Sequence, residues 1–142
     1  MKYRIFMLFA LLTASIFSQS FSGVNHSDEI KKVAEDFIKA IDANDSRKLE
    51  ELLHPDMLQY VRLNGKLIAF KASDFIQMIA DKKIGGVPRK MTHHSAQIVR
   101  GATGQIVLQA VSEEYDFMYQ MALAKNEDNW LIVGILVDVV KL

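Results

Sequence analysis

Residues 105–140 read QIVLQAVSEEYDFMYQMALAKNEDNWLIVGILVDVV. Their apolar residues follow no helical period. They come in long runs, at 105–115, 117–125 and 130–140, which predict three strands. A fourth candidate, 91–100, precedes them after Pro88, and turns fall at 101–104 and 126–129. The last run is apolar on both parities: Leu131, Val133, Ile135, Val137 and Val139 on one, Trp130, Ile132 and Leu136 on the other. A strand of that kind has no solvent side. One face is expected to pack on helices and the other on a second subunit, since so large an exposed apolar patch is rare on a monomer.

Upstream the period changes. Ile30, Val33, Ala34, Phe37, Ile38 and Ile41 fall at steps of three and four, one apolar stripe on a helix. Ser27 is the expected N-cap, with Asp28 and Glu29 where the helix dipole favours acids. Lys31, Lys32, Glu35 and Lys39 occupy the opposite face, and residues 42–45 end the helix. A short helix over 46–53 turns Leu49, Leu52 and Leu53 inward and stops before Pro55. Two apolar-rich runs, 57–63 and 66–71, flank Asn64-Gly65, a strong hairpin signal. Ser73 is the expected cap of a third helix, from 74 to about 83, with Phe75, Ile76 and Ile79 inward and Gly85-Gly86 closing it. Helices come early and strands late. The order predicts an α+β fold in which a curved antiparallel sheet wraps around the N-terminal helix, burying its stripe.

The N-terminus has another logic. Met1-Lys2-Tyr3-Arg4 is basic, residues 5–17 are uncharged and almost wholly apolar, and residues 18–22 supply serines at alternate positions. This is the layout of a secretory signal peptide, and the apolar run is too short for a spanning anchor. Residues 1–22 are therefore expected to be removed after Ser20 or Ser22. That leaves residues 23–142 as a single periplasmic or secreted domain of a bacterium, with no stable membrane anchor after cleavage. The whole chain has 142 residues, 17 basic and 17 acidic. Losing Lys2 and Arg4 leaves 15 basic residues against 17 acidic, a net charge of −2. Nothing in that balance invites nucleic acid. The chain has no cysteine, which excludes disulfides, thiolate metal sites and cysteine nucleophiles.

The order and several strings resemble the nuclear-transport-factor-2-like superfamily, the cone-shaped fold shared with ketosteroid isomerases. Within it the nearest likeness is to the lumazine-binding, polyketide-cyclase-like branch. The matching residues are Val33-Ala34-Glu35-Asp36-Phe37, Ala43-Asn44-Asp45, Leu49-Glu50-Glu51-Leu52-Leu53-His54-Pro55-Asp56, Asn64-Gly65, Leu123-Ala124-Lys125 and Asn129-Trp130-Leu131-Ile132-Val133. Together they span nearly all of residues 28–140. The resemblance implies a pocket between the first helix and the concave face of the sheet. It is specific for fold and says little of activity, because one fold hosts many functions. Where ketosteroid isomerases carry their tyrosine and their base, this chain has Phe37 and the neighbourhood of Tyr60 and Val61. Neither Phe37 nor Val61 supplies the required group.

The candidate chemistry is sparse. His93-His94 are strand neighbours that point to opposite faces, so no metal is expected between them. His94 shares a parity with Ala96 and Ile98 and is the candidate for the pocket. Asp138, alone between Val137 and Val139, is a candidate general base if buried. Tyr60, Tyr115 and Tyr119 are natural hydrogen-bond donors to a ligand. His54-Pro55-Asp56 reads as a structural corner. Lys82, Lys83, Arg89 and Lys90 read as a solvated basic loop. No phosphate loop or nucleophile elbow occurs, and no cofactor is expected. The expectation is thus an exported homodimer, paired through its outer sheet face, holding a small apolar or aromatic molecule. The expected walls are Phe37, Ile41, Tyr60, Phe75, Tyr115, Tyr119, Trp130 and Leu136. One alternative is an acid–base enzyme of isomerase or dehydratase type, using Asp138 with Tyr119 or His94 with Tyr115. The other is a ligand-free dimeric interaction module with a collapsed pocket.

Overall fold

The computed structural model describes residues 27–142. The expected leader and residues 23–26 lie outside the described residues. Helix α1 spans Ser27–Asp42 and α2 spans Ser46–Leu52. Strands β1 (Leu53–Leu63) and β2 (Lys66–Lys71) form the Asn64-Gly65 hairpin, with both turn residues at positive φ. Helix α3 covers Ala72–Ala80. Strands β3 (Lys90–Ile98), β4 (Thr103–Val111), β5 (Tyr115–Asn126) and β6 (Asn129–Lys141) complete one six-stranded sheet, ordered β2-β1-β6-β5-β4-β3.

The fold is the expected α+β arrangement, a curved, unclosed sheet holding α1. The stripe on α1 is sealed: Ile30, Ala34, Phe37 and Ile38 lose all contact with water. They meet Ile106, Leu108, Met121, Leu123 and Ile132 from the concave face in one core. Burial at roughly 1.5–3 kcal/mol for each large side chain makes this interface the main source of stability. The six strands make five pairings: β1–β6 is parallel and the other four are antiparallel. A parallel pair needs a long connection, and β2, α3 and the β3–β5 meander supply it between β1 and β6.

Two bulges settle which side chains enter the core. In β6 the register shifts between Ala122↔Gly134 and Leu123↔Ile132, so Val133 is the extra residue. Before it, Trp130 and Ile132 point inward; after it, Ile135 and Val137 do. The two-sided apolarity of this strand therefore comes largely from one inner face that changes parity midway. The outer face keeps Val133, Leu136 and Val140 exposed. In β3 the shift lies between His93 and Ser95, which makes His94 the extra residue. A bulge bends its strand and increases the twist, in keeping with the sheet's curvature.

Two local expectations, the cap of α3 and the end of β4, differ from the structure. Lys71, not Ser73, is the N-cap residue of α3, and no side chain caps that helix. Strand β4 ends at Val111, and a turn at 112–114 precedes Tyr115. It has no glycine or proline; Ser112 Oγ accepts instead from the backbone N–H groups of Glu114 and Tyr115. At His54-Pro55-Asp56 the imidazole Nδ1 accepts from the Asp56 N–H, so the histidine does the local capping.

Candidate functional site

A cavity of about 680 Å³ lies between α1, α3 and the concave face of β1, β2, β5 and β6. Its walls are largely apolar: Val61, Phe70, Phe75, Met78, Phe117 and Val137 are representative. Its size falls within the usual range for small-molecule sites. Glu113 and Glu114, on the β4–β5 turn, and Ile84, Gly85 and Val87, after α3, also border it.

The inner end is polar and organised around Arg89. Its side chain is only 5% exposed. Nε donates to Asp42 Oδ1 at 2.7 Å, and the Arg89 backbone N–H donates to Asp42 Oδ2 at 3.1 Å. Nη1 donates to the Tyr119 hydroxyl at 2.7 Å. The guanidinium carbon lies 4.8 Å from the Phe117 ring centre, a cation–π distance. Burial works against the guanidinium's charge, but Tyr119 and Asp42 outweigh it and its pKa is raised. Burial also pushes the Tyr119 phenol up, with Arg89 opposing, so Tyr119 is a neutral donor at physiological pH. Sequence reasoning placed Arg89 in a solvated basic loop. Lys82, Lys83 and Lys90 are exposed as expected, while Arg89 turns inward to reach the last residue of α1.

The loop that delivers Arg89 is held by contacts that require particular residues. Asn44 sits at positive φ, and its Nδ2 donates to Ile84 O at 2.8 Å. Gly85 has φ +77°, and a Cβ there would meet Ile41 O at 2.4 Å. Glycine is needed at that point both for conformation and for space.

Two residues that line the cavity each carry a buried polar atom with no hydrogen-bond partner among the described residues: Arg89 its Nη2 and Gln59 its Oε1. Gln59 escaped the sequence reading. The available signal was its place between Met57 and Val61 on the inward parity of β1.

The expected wall residues divide. Ile41, Phe75, Tyr115 and Tyr119 border the cavity. Phe37 lies beneath it, stacked on Phe75 at 6.1 Å and edge-on to Tyr119 at 6.0 Å. Tyr60 and Leu136 do not border it: paired across β1 and β6, they face outward, each 41% exposed. Alternation along β1 sends Tyr60 out because Gln59 and Val61 point in, and the Val133 bulge sends Leu136 out. Trp130 packs near the other end of α1, where its Nε1 donates to Glu29 at 2.9 Å.

The acid–base pairs are not formed. Asp138 lies on the outer face, 46% exposed and ion-paired with Arg62 at 3.0 Å, away from Tyr119. His94 also faces outward, bonded to Gln109 at 3.1 Å, because the bulge at this residue inverts the parity expected for it. His93 takes the inward direction instead and pairs with Glu35 of α1 at 2.9 Å. No group of three His, Asp or Glu residues among the described residues could hold a metal ion.

A family model described as "Putative lumazine-binding" matches residues 25–135. The fold is similar to a solved protein from Silicibacter pomeroyi described as nuclear-transport-factor-2-like and of unknown function. The TM-score is 0.72 at 17% identity, over 81% of this chain and 96% of that one. A nuclear-transport-factor-2-like protein from Cytophaga hutchinsonii gives 0.68 at 19% identity, over 82% and 99%. A de novo designed protein with a curved β-sheet gives 0.54 at 18% identity, over 78% and 97%. At such identities these likenesses concern the fold. No curated protein matches the chain.

Proposed function

The chain belongs to the family described as putative lumazine-binding, within the nuclear-transport-factor-2-like superfamily, and from that membership and the cavity we propose that it binds a small apolar or aromatic molecule. The observation that carries this reading is the open cavity of about 680 Å³, apolar along its walls and polar at its inner end. A ligand-free interaction module would have filled that space with its own side chains. The acid–base alternative lacks support because Asp138 and His94 face away from the cavity.

The protein works as an exported homodimer in this proposal. Support for pairing comes from the outer sheet face, where Leu58, Tyr60, Val133 and Leu136 form an exposed apolar group. Support for export comes from the three-part leader in residues 1–22.

The test is native mass spectrometry of the protein purified from its own host, set against the denatured mass. The expected result is a dimer carrying extra non-covalent mass of small-molecule size. Met78→Trp, which fills the cavity, should abolish the extra mass, and Leu136→Glu should give monomers. A wild-type protein that never carries or acquires a ligand, alone or from its host's small-molecule extract, refutes the binding reading. N-terminal sequencing of the periplasmic fraction tests export; an intact Met1 refutes it.

A further inference from the structure

The cavity's inner end has donors without acceptors. Tyr119 accepts from Arg89 Nη1, but a phenol also has one proton to donate, and no acceptor is bonded to it among the described residues. Arg89 Nη2 likewise has no partner. Both oxygens of Asp42, the nearest carboxylate, are already engaged by Arg89. A buried donor left unsatisfied costs stability that a suitable ligand atom restores. The missing group is an oxygen acceptor.

The charge around the cavity decides what kind of oxygen. Asp42, Glu113 and Glu114 border it against Arg89 alone, three carboxylates to one guanidinium, a net of two negative charges. The charge of Arg89 is already balanced by Asp42 at 2.7 Å. An incoming carboxylate would lose its water and find no unpaired cation, a costly combination. A carbonyl oxygen satisfies the same donors without burying a new charge.

We infer that the ligand is an uncharged apolar molecule whose carbonyl oxygen seats between the Tyr119 hydroxyl and Arg89 Nη2, and that carboxylate analogues are selected against; this rests on the chain being a small-molecule binder. Nη2 is closed to water. Seating the oxygen therefore requires the guanidinium and ligand to close on each other, driven by burial of the ligand's apolar body. Gln59 lies two strands across from Tyr119 and two residues along, roughly 12 Å away at the usual strand spacing and rise. Its amide oxygen, which has no partner among the described residues, would accept from a donor group of a longer ligand.

Three probes of one size separate the outcomes: ethylnaphthalene, acetylnaphthalene and naphthoate, titrated at neutral pH and followed by the amide spectrum of the labelled protein. The ketone is expected to bind about tenfold more tightly than the hydrocarbon, the increment of one good hydrogen bond. Naphthoate should bind more weakly than the ketone by at least as much. Tyr119→Phe should bring the ketone-to-hydrocarbon affinity ratio down to near one, a selective loss that a purely structural role would not produce. A ketone no better than the hydrocarbon, or a naphthoate tighter than the ketone, overturns the inference and leaves the binding reading standing. Absence of binding by all three overturns both.

Discussion

Replacing Asp42 by alanine probes the inner end of the cavity directly. The carboxylate holds Arg89 twice, through Nε at 2.7 Å and through the backbone N–H at 3.1 Å. The two side chains are 17% and 5% exposed, so little water can take over. A hydrogen bond to a charged group contributes roughly 1.5–3 kcal/mol, and two are lost. Removing one member of a buried pair typically costs about 3–5 kcal/mol, because the other charge stays buried. Tyr119 still accepts from Nη1 and Phe117 still faces the guanidinium, which places Asp42→Ala at the lower end, about 3 kcal/mol. That is a large share of the roughly 5–15 kcal/mol that holds a domain together. At roughly 3–6 °C per kcal/mol for a chain of this length, Tm should fall by about 10–15 °C. Urea denaturation followed by the fluorescence of Trp130, the only tryptophan, gives the free energy, and calorimetry gives Tm. The double variant Asp42→Ala with Arg89→Met removes both charges and should recover most of the loss, because a buried pair exchanged for apolar groups is often neutral. A single variant that loses less than about 1 kcal/mol, or a double variant no better than the single, refutes the buried-pair argument.

Three further outcomes follow from the same geometry. Gln59→Met replaces an amide with a buried, unpartnered oxygen by an apolar side chain of similar length, and should raise the stability of the ligand-free protein by about 1 kcal/mol; a loss on urea denaturation would mean that the amide is bonded in solution. The Tyr119 phenol has its pKa raised by burial, so its contribution to stability is present below about pH 10, where the unfolded phenol titrates, and is lost as pH rises toward the folded value. The stability difference between wild type and Tyr119→Phe should therefore shrink between pH 9 and 11 in parallel urea series, roughly the range around that pKa; a flat difference would contradict it. Deleting Val133 removes the bulge and forces part of the inward set Trp130, Ile132, Ile135 and Val137 to the outer face, at roughly 1.5–3 kcal/mol per side chain. Circular dichroism should show no cooperative fold for the deletion, whereas Val133→Ala should stay within about 0.5–1 kcal/mol of wild type; a deletion variant as stable as the alanine variant would show that the bulge is dispensable.

Periodicity carried the architecture. The stripe from Ile30 to Ile41, the Asn64-Gly65 turn and the long apolar runs after Pro88 are local patterns that water alone enforces. They identify helices, a hairpin and a late sheet before any contact is known. Four of the expected wall residues, Ile41, Phe75, Tyr115 and Tyr119, border the cavity for the same reason: they lie on inward faces. What alternation could not reveal was where it breaks. Two inserted residues, His94 and Val133, reverse parity within a strand, and a bulge has no composition of its own to announce it. That is why His94 and Leu136 face outward and His93 faces inward.

The polar end of the cavity was invisible for a different reason. Asp42 and Arg89 are 47 residues apart, and Arg89 and Tyr119 are 30 apart. Asp42 and Arg89, taken singly, each resemble a surface residue, since charged side chains are mostly exposed. Only the docking of the Gly85 loop against the end of α1 withdraws the guanidinium from water. Sequence by itself determined which faces are apolar, because burial is a property of single residues summed along a local period. The tertiary structure decided which polar groups meet, because a hydrogen bond depends on the positions of two residues that only the folded chain brings within 3 Å.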